Sequence, residues 1–206
     1  MQKKSSIMRW EAALLLALCI SLCWGEYTLA QQSRLAAGII RLHVIAHSDD
    51  AEEQALKLQV RDEVTRIVLP LTERCQCPDE ARAAIVAALP EIGEAARSAA
   101  GDRAVSVSFG KQRYGTREGD GYTLPAGIYY SLRVTLGDGA GHNWWGVIFP
   151  QLTPQGVTDY ASAAKVLGED NVRLITSDGE GYVVRFQLLE WMEALKSRFS
   201  GSDTKP

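Results

Sequence analysis

An apolar run close to the beginning of the chain places the strongest constraint on how the rest can fold. Lys3, Lys4 and Arg9 precede the uncharged stretch Ala12–Gly25, which Glu26 closes. A basic segment followed by an apolar stretch is typical of a signal sequence. Because the positive flank stays in the cytoplasm, we expect everything after Glu26 to fold and act outside the cytoplasm.

The length of this run leaves two interpretations open. As an α-helix, Ala12–Gly25 would extend about 21 Å, which is short of a hydrocarbon core of about 30 Å. A signal sequence cleaved after Ala30 fits this length, whereas an uncleaved anchor requires the span to begin near Ile7. We predict a signal sequence or N-terminal membrane anchor at residues 1–30 and a single exported domain at residues 31–206. Contact with the membrane is expected through the N-terminal segment only.

Charge and cysteine content argue against two further features of the exported part. The net charge of −3 offers no broad basic face, so no nucleic-acid partner is expected. Only Cys75 and Cys77 lie beyond the leader, and a ring closed across one intervening residue would be strained. A structural disulfide is therefore not expected, and both thiols could be free.

Two helices follow a first strand in the exported part. The apolar run Ile39–Ala46 predicts a strand, and Asp50 is a suitable N-cap for a helix that ends at Pro70. On its outer face we expect solvated ion pairs one turn apart, such as Glu53 with Lys57. A second helix starts at Pro78 and stops at Gly101, with a kink or break expected at Pro90.

The hydrophobic period then changes to two, which predicts strands. Residues 105–109 and 128–136 alternate and are expected to be antiparallel neighbours, separated by the polar loop Gly115–Gly121. The remaining predicted elements are a buried strand at 144–149, a short helix near 160–167, paired strands at 172–176 and 182–186, and a closing helix with Leu188, Met192, Leu195 and Phe199 on one stripe. The fold class is therefore α+β, an antiparallel strand meander with helices packed on one face.

The run His47-Ser48-Asp49-Asp50 after the first strand permits an enzymatic interpretation. It resembles the zinc site of N-acetylglucosaminyl deacetylases, where His47 and Asp50 would hold zinc and Asp49 would be the general base. His43 lies four residues away on a strand, about 13 Å from His47, which is too far to share one ion. A strand end followed by a helix cap is the alternative structural interpretation of the same residues.

The run His142-Asn143-Trp144-Trp145 indicates a possible contact surface. Adjacent side chains on a strand point to opposite faces, so one indole is expected to be exposed unless the strand is buried on both sides. Tryptophan is favoured at the centre of protein–protein interfaces. Both a buried strand and a partner anchor fit the residues equally well.

Two segments together resemble the stage II sporulation protein R family. The resemblance is carried by Arg41–Asp49 with Gln54–Lys57 and Val60–Asp62, and by Leu124–Gly127 with Gly141–Trp145 and Phe149-Pro150, with a weaker match at Arg185-Phe186 and Leu189–Trp191. Members of the family usually carry Asn at the position of His47, and Cys near Gly146 and Thr153. The absence of both cysteines here puts any role of that pair in doubt.

The resemblance implies an exported sporulation signal rather than an enzyme. Such a protein acts in the space between the two septal membranes, where it switches on a membrane protease of the mother cell that matures a sigma factor. We expect no catalytic residues and no cofactor, and a contact surface that includes Trp144, Trp145 and Asn143, with Arg61 and Asp62 as further candidates. A secreted zinc hydrolase at His47 and Asp50 and a protein that binds the cell wall are the alternatives.

Overall fold

The structure is a computed structural model that describes residues 3–119, 122–153, 156–157 and 160–176. The predicted strand at 182–186, the closing helix with Leu188, Met192, Leu195 and Phe199, and the weaker family match at 185–191 lie outside these residues. The chain divides into two units, with the boundary between Arg34 and Leu35.

One long helix, α1 (Lys3–Gly38), contains the apolar run. Its residues between Trp10 and Leu22 expose large apolar side chains, as expected for a segment whose natural surroundings are apolar. The stretch Trp10–Gly38 is long and apolar enough to cross a membrane by length and composition, a criterion that a signal sequence also meets. The apolar helix at the N-terminus is thus confirmed.

The two predicted helices of the body pack against each other. They are α2 (Ala51–Glu73), which follows Asp50, and α3 (Pro78–Ala100), which ends at Gly101. Both prolines lie inside them, so the predicted end of α2 at Pro70 is wrong, and of the kink or break predicted at Pro90 the break does not occur. Each proline removes one backbone hydrogen bond, but the tertiary packing of the apolar stripes stabilises both helices enough for them to continue past it.

The core of the body is a mixed four-stranded sheet in the order β2-β5-β1-β6. The bounds are β1 (Ile40–Ile45), β2 (Val105–Tyr114), β3 (Arg117–Gly119), β4 (Tyr122–Leu124), β5 (Gly127–Leu136), β6 (Asn143–Phe149), β7 (Leu152–Thr153) and β8 (Gly156–Val157). The predicted antiparallel pairing of β2 with β5 is confirmed. The meander is interrupted, because β1 is inserted between β5, to which it is parallel, and β6, to which it is antiparallel. A strand buried along its whole length, as β1 is, belongs in the middle of a sheet.

Each face of the sheet supports its own apolar cluster. Ile40, Leu42 and Val44 of β1 face α2 and α3 and form the larger cluster with them. The opposite face, at the end of the sheet where β1 begins, packs against α4 (Tyr160–Leu167), α5 (Glu169–Thr176) and the last turn of α1. Helices therefore lie on both faces, while the α+β class is confirmed.

Two local predictions differ from the structure. Residues 172–176 are part of the helix α5 and not a strand. Val172 and Ile175 are both fully buried at a spacing of three, which places them on one side of a helix but would place them on opposite faces of a strand. The loop predicted at 115–121 contains β3, which pairs with β4 to form a short hairpin.

Candidate functional site

The two segments that carry the family resemblance are neighbours in the sheet. Strand β1 pairs with β6 so that Val44 lies opposite Trp144, His43 opposite Trp145, and Ile45 opposite Asn143. The residues after β1 therefore meet the residues before β6 at one end of the sheet. We call this contact between residues 46–50 and 137–142 the loop junction.

Asp49 connects the two sides of the loop junction by hydrogen bonds. Its Oδ1 accepts the backbone N–H of His142 at 2.6 Å and lies 2.5 Å from Nδ1 of the same histidine. These hydrogen bonds to the ionised form lower the pKa of Asp49. Lys57 donates from α2 to the carbonyl oxygen of His142 at 3.1 Å, so the residue just before β6 is held on both sides.

Two glycines allow the loops to approach this closely. A Cβ at Gly141 would collide with the carbonyl oxygen of Ser48, and Gly137 has a φ of 52° with His47 against its Cα. The backbone N–H groups of Ala140 and Gly141 donate to the carbonyl oxygens of His47 and Ala46 at 3.1 and 3.0 Å. The glycine-rich loop is thus a turn that fits against the end of β1.

The residues of the alternative zinc site point to different partners. Nδ1 of His47 accepts the backbone N–H of Asp138 at 3.1 Å, and Oδ2 of Asp50 accepts the hydroxyl of Ser48 at 2.7 Å. The carboxylate of Asp49 is in contact with the imidazole of His142. Within the described part of the chain, no group of three or more His, Cys, Asp or Glu side chains could hold a metal ion.

Trp144 lies on the face that α2 covers. The guanidinium of Arg61 sits over its indole ring, 5.1 Å from the centroid, and is paired with Asp62 at 2.6 Å. An arginine over an indole is a favourable cation–π arrangement. Leu58, one turn before Arg61 on α2, is an exposed apolar side chain beside this group. We call Trp144, Arg61 and Asp62 the helix-side group.

Trp145 and Asn143 lie on the opposite face. Trp145 packs edge-on against Tyr122, with ring centroids 6.0 Å apart. The side-chain amide of Asn143 is 2.6 Å from Nδ1 of His43. The predicted contact residues are thus divided by the sheet, and each indole is partly exposed and packs against a different apolar cluster. The expectation that one indole is exposed while its neighbour is buried is replaced by two half-buried rings.

A fully buried arginine is the feature of this face that the sequence interpretation did not single out. Arg41 is 0% exposed, and its guanidinium lies over the rings of Tyr114, Trp145 and Tyr129 at 4.3, 4.7 and 5.1 Å. Burial lowers its pKa from the ordinary value. An arginine inside an otherwise apolar strand run was the available signal, because a charged side chain there must be paired or enclosed.

His43 packs against the same tyrosine ring as Arg41. Its ring stacks on Tyr114 with centroids 4.2 Å apart and planes 5° from parallel. The imidazole of His43 and the guanidinium of Arg41 therefore both contact the ring of Tyr114. Burial and the charge of Arg41 lower the pKa of His43 to about 3, so its imidazole is neutral. We call Arg41, His43, Tyr114 and Trp145 the arginine stack.

Comparison with known proteins gives one consistent match. The model of a family described as stage II sporulation protein R matches residues 36–159, which include the loop junction, the helix-side group and the arginine stack. A curated relative named stage II sporulation protein R, from Bacillus subtilis (strain 168), is 36% identical over 117 residues, 55% of this chain and 52% of the relative. The match therefore spans about half the length of that relative. No solved structure matches.

Proposed function

Because the chain belongs to the stage II sporulation protein R family and has a role in sporulation, we propose that it is an exported signal that activates a membrane protease of the mother cell. The protein would act between the two septal membranes, delivered there by the apolar helix α1. Activation of the protease leads to processing of a sigma factor precursor. The chain contributes by binding and not by catalysis.

The observation that carries this proposal is the pairing of the two family segments as neighbouring strands, β1 and β6. Strand β6 lies at an edge of the sheet and carries two partly exposed indoles, one on each face. Aromatic side chains with an arginine beside them are the combination that is most often found at the centre of protein interfaces. The loop junction fixes the start of β6 from two sides, so the surface is held in one arrangement before the partner arrives.

A binding signal activates an enzyme only if it prefers one state of that enzyme. The proposed surface would bind the active state of the protease more tightly than the inactive state and so raise the population of the active state. This mechanism needs no acid, base or metal on the signalling chain. It requires a rigid surface with complementary shape, which the sheet edge and α2 supply.

The test is processing of the sigma factor precursor in sporulating cells whose only copy of this protein is altered. The indoles contribute to both apolar clusters, so Trp144→Ala and Trp145→Ala would also lower stability. Arg61→Glu and Asp62→Lys change the same surface without removing core atoms. Ile128→Ala is the matched control, because Ile128 is a 50% exposed apolar side chain on β5, away from β6.

We expect Arg61→Glu and the double tryptophan variant to abolish processing while Ile128→Ala leaves it normal. Thermal unfolding of each purified variant shows which of them is folded. Normal processing with both indoles replaced, in protein that is stably folded, would refute the proposal. Retention of the protein on purified peptidoglycan together with normal processing in every variant would support the wall-binding alternative, and stoichiometric zinc that is lost in His47→Ala would support the hydrolase.

A further inference from the structure

The sheet face that carries the arginine stack has an unusual charge pattern. Its side chains form cross-strand rows that run from β2 through β5 and β1 to β6, and one row contains Ser108, Arg133, His43 and Trp145. The neighbouring rows are Gly110, Ser131, Arg41 and Val147, and then Ser106, Thr135, Ile45 and Asn143. These three rows contain two arginines and no Asp or Glu, although the chain as a whole has a net charge of −3. We call these three rows the arginine face.

Arg133 lies at the centre of this face, where no carboxylate of the described residues is its counter-ion. It is half-buried on the interior strand β5, between Ser108 and His43 in its row. Among the residues that the structure describes, it makes no hydrogen bond and no ion pair. By contrast, Arg61, Arg66, Arg82, Arg97 and Arg103 are each paired with a carboxylate.

Two buried neighbours add donors that have no hydrogen-bond partner among the described residues. Within that part of the chain, Nε, Nη1 and Nη2 of Arg41 make no hydrogen bond, and neither does Nε2 of His43, which is 3% exposed. Because Nδ1 of His43 accepts from the amide of Asn143, Nε2 carries the hydrogen and is a donor. Buried donors are normally paired with acceptors, so these donors leave the positive potential around Arg133 uncompensated by the described residues.

The electrostatic surroundings of His43 agree with this pattern. The charged groups that act on its pKa are Arg41, Arg133 and Arg117, and all three lower it. No carboxylate of the described residues offsets them there.

We propose that the arginine face receives an acidic segment of the partner protein, one of whose carboxylates pairs with Arg133. This inference rests on the proposed function and specifies the chemistry of the partner. The exposed hydroxyls of Ser106 and Ser108 lie beside Arg133 on the adjacent strand β2 and can donate to further acidic side chains. Arg133 lies on the interior strand β5 and is half-buried, so a flexible Asp or Glu side chain reaches it where a flat bilayer surface does not.

The experiment measures binding of a fluorescent decapeptide of alternating Glu and Ser to the full-length protein in mild detergent, at low and at physiological salt. A peptide with Gln in place of Glu is the uncharged control. Arg133→Glu is compared with Lys111→Glu, because Lys111 is an exposed cation on the adjacent strand β2 that lies over Tyr130 on the other face of the sheet. Arg133→Gln separates loss of the cation from addition of repulsion.

We expect the acidic peptide to bind more tightly than the Gln peptide, and Arg133→Glu to weaken binding by about tenfold or more, since a charge-assisted hydrogen bond is lost. Lys111→Glu should change it by less than about twofold. Equal losses in the two variants, or no preference for the acidic peptide, would overturn the inference. If the protein binds vesicles of anionic lipid in a way that depends on Arg133 but does not bind the acidic peptide, the inference is overturned and the ligand is a lipid.

The same variants in sporulating cells separate this inference from the proposed function. Processing that fails in Arg61→Glu but is normal in Arg133→Glu would leave the signalling role intact and remove the arginine face from it. Processing that is normal in every surface variant, including the double tryptophan variant, would remove the signalling surface itself. Loss in both Arg61→Glu and Arg133→Glu, with Lys111→Glu normal, is the expected result.

Discussion

Arg41 shows at the level of one residue how a charge is accommodated inside an apolar sheet. Removing a guanidinium from water costs several kcal/mol, and no carboxylate of the described residues repays that cost. Three aromatic rings around it contribute cation–π attraction, of the order of 2 kcal/mol for a desolvated contact. A methionine of similar length would fill the same space without the charge. The arginine therefore adds little to the stability of the fold, and its main effect is the positive potential of the face on which it lies.

His43 provides a prediction about acid stability. The folded protein holds the pKa of His43 at about 3, against an ordinary value of 6.5. Between these values the unfolded chain binds a proton that the folded chain does not, so stability is lost as the pH falls. From this residue alone the free energy of unfolding should drop by roughly 1.4 kcal/mol per pH unit between about pH 6 and pH 5.

Replacing His43 with Gln should remove this slope, because glutamine does not titrate and can still bond the amide of Asn143. Urea unfolding of the purified full-length protein at about pH 6 and pH 5 measures it, since carboxylates with ordinary pKa values remain mostly ionised over this interval. Equal slopes for the wild type and His43→Gln would show that the imidazole is not buried in its neutral form.

At the level of elements, the sequence predicts what local periodicity determines and misses what depends on distant partners. The helix at 160–167 has the predicted bounds, and β1, β2 and β5 have the predicted character. The expected pair of Glu53 with Lys57 is absent: Glu53 pairs with Arg103 after α3, and Lys57 is buried against the loop junction. Both groups belong to the core side of α2, which no spacing rule within α2 can reveal.

The candidate site, like the fold, could be predicted from the sequence only in part. Period two correctly places Trp144 and Trp145 on opposite faces, and the family resemblance draws attention to β6. The insertion of β1 between β5 and β6 is what brings Arg41, Arg133 and Trp145 onto one face. Strand order is set by burial of the whole sheet, so it could not be predicted from residues that lie roughly 100 positions apart in the chain.

The loop junction provides a prediction at this scale. A Cβ at Gly141 meets the backbone carbonyl of Ser48, which cannot move without shifting β1 or the start of β6. Gly141→Ala should therefore lower the free energy of unfolding by roughly 1–3 kcal/mol. It should also change the fluorescence of Trp144, three residues further along the chain.

Gly110→Ala is the matched control for this change, because Gly110 lies in β2 with open space where a Cβ would be. Alanine there should be neutral or slightly stabilising, as the unfolded chain loses freedom. Urea unfolding of the two variants compares them directly. If both variants unfold at the same urea concentration, the junction is more compliant than its close contacts indicate.

At the level of the whole molecule, the N-terminal helix α1 and the body of the protein share residues at their boundary. The contact boundary lies between Arg34 and Leu35, yet α1 continues to Gly38 and Leu35 and Ala36 are almost fully buried in the cluster beneath α4 and α5. The last turn of the leader helix is therefore part of the body's core. Any processing that releases a stable body must leave Leu35 in place.

Two truncated chains test where the body begins. A chain that starts at Gln31 retains Leu35, Ala36 and Ile39, whereas a chain that starts at Ile40 lacks all three and exposes the cluster that they fill. Loss of a buried leucine alone costs about 2–5 kcal/mol, so the shorter chain should unfold at a markedly lower temperature or without a cooperative transition. Thermal unfolding followed by circular dichroism measures both. The burial of the last turn of α1 predicts that the two chains differ in stability. Equal stability would show instead that the body starts at β1 and that this turn is dispensable.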